Sequence, residues 1–87
     1  MHSPLEGTPD IDYPTDWIYR VIGEDEAAMR DAIAGIAGTA EHRVEAGNVS
    51  GGGRYRSLRV TVAVTDETHR VGIFRALGRH DSIRVVL

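Results

Sequence analysis

The chain has 87 residues, 10 basic against 13 acidic, a formal net charge of -3, and 41% hydrophobic and 26% charged residues. That composition fits one small folded domain and not a disordered chain. Cysteine is absent, which excludes disulfides, thiolate zinc sites, iron–sulfur clusters and cysteine nucleophiles, and no apolar run approaches the roughly 20 residues that span a bilayer.

Residues 1–13 hold Pro4, Pro9, Gly7 and scattered acids, with neither the basic region nor the apolar core of a signal peptide. They are expected to form a mobile tail, followed by a single domain over 14–87 that works in the cytoplasm. Trp17 to Ile22 then alternates. Trp17, Tyr19 and Val21 form one face, Ile18, Arg20 and Ile22 the other, so a strand is expected, ending at Gly23. From Glu24 to Ala40 the period changes. Met29, Ala32, Ile33, Ile36 and Ala40 recur at helical spacing behind the acids Glu24, Asp25 and Glu26. Gly38 reads as a stop, and Gly35 as a place for close approach to the sheet.

Arg43 to Ser50 is a weaker strand, followed by Gly51, Gly52 and Gly53. Arg54 to Thr65 is the strongest strand. Leu58, Val60, Val62 and Val64 form one face, Ser57, Arg59, Thr61 and Ala63 the other. Two strands around a glycine cluster make a hairpin. Thr65 or Asp66 caps a second helix with a buried stripe of Ile73, Phe74 and Leu77, and Gly78 has the chemistry of its C-terminal stop. A last strand, Ile83 to Leu87, should turn Ile83, Val85 and Leu87 inward and Arg84 and Val86 outward.

The order strand–helix–strand–strand–helix–strand has a simplest right-handed solution in the ferredoxin-like split βαβ sandwich. This α+β fold has an antiparallel sheet in the order 4-1-3-2, with both helices on one face.

Three stretches carry a family likeness. Tyr13-Pro14-Thr15-Asp16-Trp17-Ile18-Tyr19-Arg20-Val21-Ile22-Gly23 opens the domain. Gly53-Arg54-Tyr55 with Ser57 precedes Val60-Thr61-Val62. Phe74-Arg75-Ala76-Leu77 leads through His80 to Ile83, Val85 and Leu87. In order and spacing they resemble the YbeD-like family of uncharacterised bacterial proteins, over about residues 13–87. Gly52 departs from the lysine that family often carries. The resemblance implies a fold similar to the ACT regulatory domain, and hence ligand sensing or association by analogy of fold.

For catalysis the residues offer little. His2, His42, His69 and His80 show no tight metal spacing. The acid groups at Glu24 and at Asp66-Glu67 belong to helix starts, which lower a carboxyl pKa where a general acid needs it raised. No catalytic residue, metal or cofactor is expected, and the chain reads as a non-enzyme.

Three surfaces remain as candidates. The open sheet face would carry Ile18, Arg20, Ile22, Arg59, Thr61, Arg84 and Val86, a mixture of apolar and arginine side chains suited to association. The hairpin loop Gly51, Gly52, Gly53 with Arg54 and Arg56 could cradle an anion on backbone N–H groups. The first turn, Gly23, Glu24 and Asp25, lies where the ACT-like resemblance would place a small ligand. The leading expectation is a regulatory or adaptor module that docks a protein partner, or itself as a homodimer, through the sheet face or a strand edge. A small-metabolite sensor is the alternative. RNA binding through the arginine face comes third, since the net charge is negative and no aromatic platform faces out.

Overall fold

The structure is a computed structural model, and it describes residues 11–50 and 52–87. Six elements follow one another: β1 (Thr15–Gly23), α1 (Glu26–Ala37), β2 (His42–Ser50), β3 (Tyr55–Val64), α2 (Glu67–Arg79) and β4 (Val85–Val86). The sheet order is β2-β3-β1-β4, the expected 4-1-3-2 read from the other edge, and the pairs are antiparallel. The fold is ferredoxin-like. Among the described residues no helix is long and apolar enough to cross a membrane.

Local chemistry explains most boundaries. The Asp25 carboxylate accepts from Ala28 N–H at 3.0 Å and caps α1, while Asp66 accepts from His69 N–H at 2.7 Å and caps α2. Each satisfies a donor that the first helical turn leaves unpaired. Gly38, at φ +59°, ends α1 and donates its N–H to the Ala34 carbonyl. That conformation is one a side chain rarely adopts. The core lies between sheet and helices, built from Tyr19 and Val21 of β1, Leu58, Val60, Val62 and Val64 of β3, Met29 and Ile33 of α1, and Ile73 and Leu77 of α2.

Several expectations change. Helix α1 is shorter than Glu24–Ala40, because Asp25 starts it and Gly38 stops it. Gly35 faces solvent with nothing near its missing Cβ, so it serves no close approach. Helix α2 runs through Gly78 to Arg79, and the His80 N–H closes it on the Leu77 carbonyl. Phe74 is 44% exposed, outside the buried stripe.

The largest change is in β4. Val86 pairs with Val21, a core residue, so it packs on the helix side. Val85 pairs with the outward Ile22 and is exposed, and Leu87 bonds Arg20 through both backbone groups. Ile83 and Val86 both face inward although they are three apart, so alternation slips by one between them. Val86 therefore leaves the candidate open face, and Val85 and Leu87 join it. At the other end, Tyr13, assigned from sequence to the tail, packs against the core.

Candidate functional site

Antiparallel register brings outward residues from separate strands into rows. Arg20 is the Cα partner of Arg59, and Arg59 the partner of Glu45 on β2. Ile18 faces Thr61, which faces Arg43. Ile22 faces Ser57 on one side and Val85 on the other. Of the expected face residues, Ile18, Arg20, Ile22, Arg59 and Thr61 thus come together. Arg84 sits at one end of the face, in a recess with Ile22, Tyr55 and Val85. Its guanidinium reaches Glu24 at 3.0 Å.

The apolar part of this surface concentrates on one side. Among the described residues the exposed large hydrophobics are Ile18 at 54%, Phe74 at 44%, Val85 at 43% and Leu87 at 67%. Ile18, Phe74 and Leu87 line one shallow groove of about 540 Å³ with Trp17, Asp16 and Arg70. The Arg70 guanidinium lies 4.6 Å from the centre of the Trp17 ring, a cation–π arrangement. It also donates to the Tyr13 hydroxyl at 2.9 Å, while the Tyr19 hydroxyl donates to the Arg70 carbonyl at 2.7 Å. The groove wall is therefore fixed from three segments of chain.

The floor of the groove is a strand edge. Arg20 N–H and C=O both bond Leu87, so the even-numbered backbone groups of β1 point away from β3. Strand β4 covers them only around residues 20–22. Beyond it, Asp16 and Ile18 present backbone groups that no described residue pairs.

A second recess, of about 410 Å³, lies among Arg20, Arg59, Ser57, Ala46 and Gly47. It opens where β2 carries one extra residue between Ala46 and Val49. A Cβ at Gly47 would stand 3.1 Å from the Ser57 hydroxyl and 3.2 Å from its carbonyl oxygen. Sequence reading missed this bulge, although a glycine inside a strand is its usual signal. It also missed Phe74, Val85, Leu87 and Glu45 as surface partners, while Ser57 was already placed on the outward face.

The first turn is occupied by structural contacts. Gly23 is buried against Met29 and Ser82, and Asp25 caps α1. Glu24 joins Arg54 at 3.1 Å and Arg84 at 3.0 Å. Hydrogen bonds from Arg84 and then Arg54 hold its carboxyl below the usual range. In the hairpin loop, Gly52 and Gly53 have positive φ and Arg54 is engaged by Glu24. Arg56, partnered with Gly23, lies on the helix side of the sheet, and Gly51 lies outside the described residues. His42, His69 and His80 each contact neighbouring groups in turns. Among the described residues no group of three or more His, Cys, Asp or Glu side chains could hold a metal ion.

Comparison with known proteins agrees with this architecture. A family model described as a protein of unknown function, DUF493, matches residues 8–87. An uncharacterised protein of Campylobacter jejuni is 34% identical over 73 residues, covering 84% of each chain. A UPF0250 protein of Paraburkholderia phymatum is 34% identical over 82 residues, covering 88% of this chain and 91% of its own. The solution structure of protein HP0495 from Helicobacter pylori superposes with a TM-score of 0.81 at 26% identity, covering 100% of this chain and 97% of the other.

Proposed function

The chain belongs to the DUF493 family of proteins of unknown function, and on that footing we propose that it is a non-enzymatic adaptor of the cytoplasm that docks a protein partner. The partner contributes an extended segment, which adds alongside β1 next to β4 and lays apolar side chains into the groove. One observation carries this reading: exposed Ile18, Phe74 and Leu87 converge where the outer backbone groups of Asp16 and Ile18 pair with no described residue. An added strand supplies hydrogen bonds to such an edge, and pockets for alternate side chains supply specificity. Natural proteins generally blunt edges with charge or proline; here Asp16 and Arg70 lie at the rim of the groove, and the exposed Ile18, Phe74 and Leu87 fill the rest of it.

Glu24 is unsuited to act as a general acid, because hydrogen bonds from Arg84 and Arg54 favour its ionised form. The ligand-sensor alternative draws no support from the first turn, because Gly23, Glu24 and Asp25 are engaged within the fold.

Paired affinity capture from cell lysate tests the proposal, using the wild type and the Ile18→Asp, Phe74→Ser and Arg75→Ala variants as bait. Proteins held by the wild type and Arg75→Ala but lost from the other two are the expected outcome. A capture profile unchanged by Ile18→Asp and Phe74→Ser overturns the groove. Sedimentation of the purified chain identifies a second copy as occupant if a wild-type dimer becomes a monomer on Ile18→Asp, and that overturns a separate partner.

A further inference from the structure

The recess at Arg20 and Arg59 has a chemistry of its own, separate from the apolar groove. Both backbone groups of Arg20 bond Leu87. Its pairing with Arg59 is therefore of the non-hydrogen-bonded kind, in which opposed Cα atoms stand about 4.5 Å apart and side chains come closest. Like charges at directly opposed positions oppose pairing. An ordinary sheet would put an acid opposite one of these arginines, as Glu45 stands opposite Arg59 on its other side. Yet the Glu45 carboxylate lies toward Arg43, at 4.0 Å.

Five arginines find carboxylates, Arg30 with Glu26, Arg43 with Glu45, Arg54 and Arg84 with Glu24, and Arg70 with Glu67, while Arg56, Arg75 and Arg79 stand on other surfaces with no ion pair among the described residues. Arg20 and Arg59 have no ion-pair partner among the described residues. Ser57 lies two positions from Arg59 on the same face, and the bulge at Gly47 leaves the space beside it open. Arg20, Arg59 and Ser57 therefore line one recess of about 410 Å³, and no carboxylate of the described residues forms an ion pair with either arginine.

One guanidinium satisfies one carboxylate through paired N–H bonds. Two side by side call for a doubly charged acceptor with oxygens pointing both ways. A phosphate monoester provides about -1.5 to -2 charge near neutral pH and three acceptor oxygens. We propose that Arg20 and Arg59 bind the phosphate monoester group of a small soluble molecule, with the Ser57 hydroxyl donating a third hydrogen bond. The site needs none of the apolar groove, so it stands or falls apart from partner docking.

The test is a heteronuclear NMR titration with glycerol 3-phosphate as the probe, at constant ionic strength. Saturable shifts are expected at the amides of Arg20, Gly47, Ser57 and Arg59. Affinity should rise as the probe loses its second proton near about pH 6. Acetate and dimethyl phosphate, each singly charged, should bind about tenfold more weakly or worse, since each forfeits at least one charge-assisted bond. Arg20→Gln and Arg59→Gln should each weaken the probe by a similar factor with the fold intact. Glu45→Gln should strengthen it, because it removes the nearest acid from the row. Shifts that fail to saturate, that acetate reproduces, or that survive Arg59→Gln overturn the site. Binding only to vesicles containing phosphatidate, or only to RNA, also overturns it, because the ligand is then not a small soluble monoester. Phe74→Ser, which changes no charge and lies on α2, should leave the titration unchanged, and Arg59→Gln should leave the captured proteins unchanged, so failure of one proposal is read separately from failure of the other.

Discussion

Tyr19 shows how one buried side chain sets a pH limit. Burial pushes its phenol up to about 12 from 10.0, and its hydroxyl donates to the Arg70 carbonyl. With the folded value raised, the unfolded chain loses this proton first. Stability should therefore fall between about pH 10 and about pH 12, and Tyr19→Phe should flatten that limb in melting curves recorded against pH. Glu24 works in the opposite sense. Its carboxyl is depressed by Arg84 and Arg54, so its contribution is present above the usual 4.5 and lost as pH falls through the lowered value. Two glycines make a sharper contrast. A Cβ at Gly23 would collide with the Ser82 carbonyl oxygen and come within 2.7 Å of the Met29 sulfur. Gly23→Ala should cost about 1–3 kcal/mol in urea unfolding, as overpacking does. Gly35 has open space around it, and Gly35→Ala should stabilise by up to about 1 kcal/mol through helix propensity.

The β4 segment shows what a register slip does to an element. Valines 85 and 86 are chemically identical neighbours, so their sequence cannot say which faces the helices. Pairing of Val86 with buried Val21 decides it. Val86→Asp should destabilise by more than about 1.5 kcal/mol and Val85→Asp by less than about 1 kcal/mol, because only the first sets a charge against the core. Equal effects of the two substitutions in chemical unfolding would refute the inward phase. The same reasoning covers α2. Phe74 was expected in the buried stripe with Ile73 and Leu77, but it lines the groove with Leu87. The helix starts are simpler. Asp25→Ala and Asp66→Ala should each cost about 1 kcal/mol, since each removes one cap.

At the scale of the whole molecule, short β4 leaves the sheet unequal. Strand β1 is paired with β3 over its full length but with β4 only near one end. Hydrogen exchange should read this directly. The Ile18 amide, pointing to the uncovered side, should exchange much faster than that of Tyr19, which points into the sheet toward β3. Equal protection of the two amides in the isolated protein would show the edge already filled and remove the basis for strand addition.

The sequence alone determined the order of elements, the sheet topology and most of the inner faces. Alternation at Leu58, Val60, Val62 and Val64, helical spacing at Met29 and Ile33, and the acids at the two helix starts are local patterns, each read within one or two turns of chain. Ile18, Arg20, Ile22, Arg59 and Thr61 were legible as outward residues for the same reason. Which of them meet follows from strand register in the assembled sheet. That Arg20 lies against Arg59, that Glu45 lies toward Arg43, that Gly47 opens a recess beside Ser57, and that Phe74 and Leu87 share a groove all depend on strand register. Register is set by packing between segments distant in the chain, and a slip of one residue reverses every face. A local pattern therefore assigns a residue to a surface, while its neighbours on that surface are fixed by the assembled sheet.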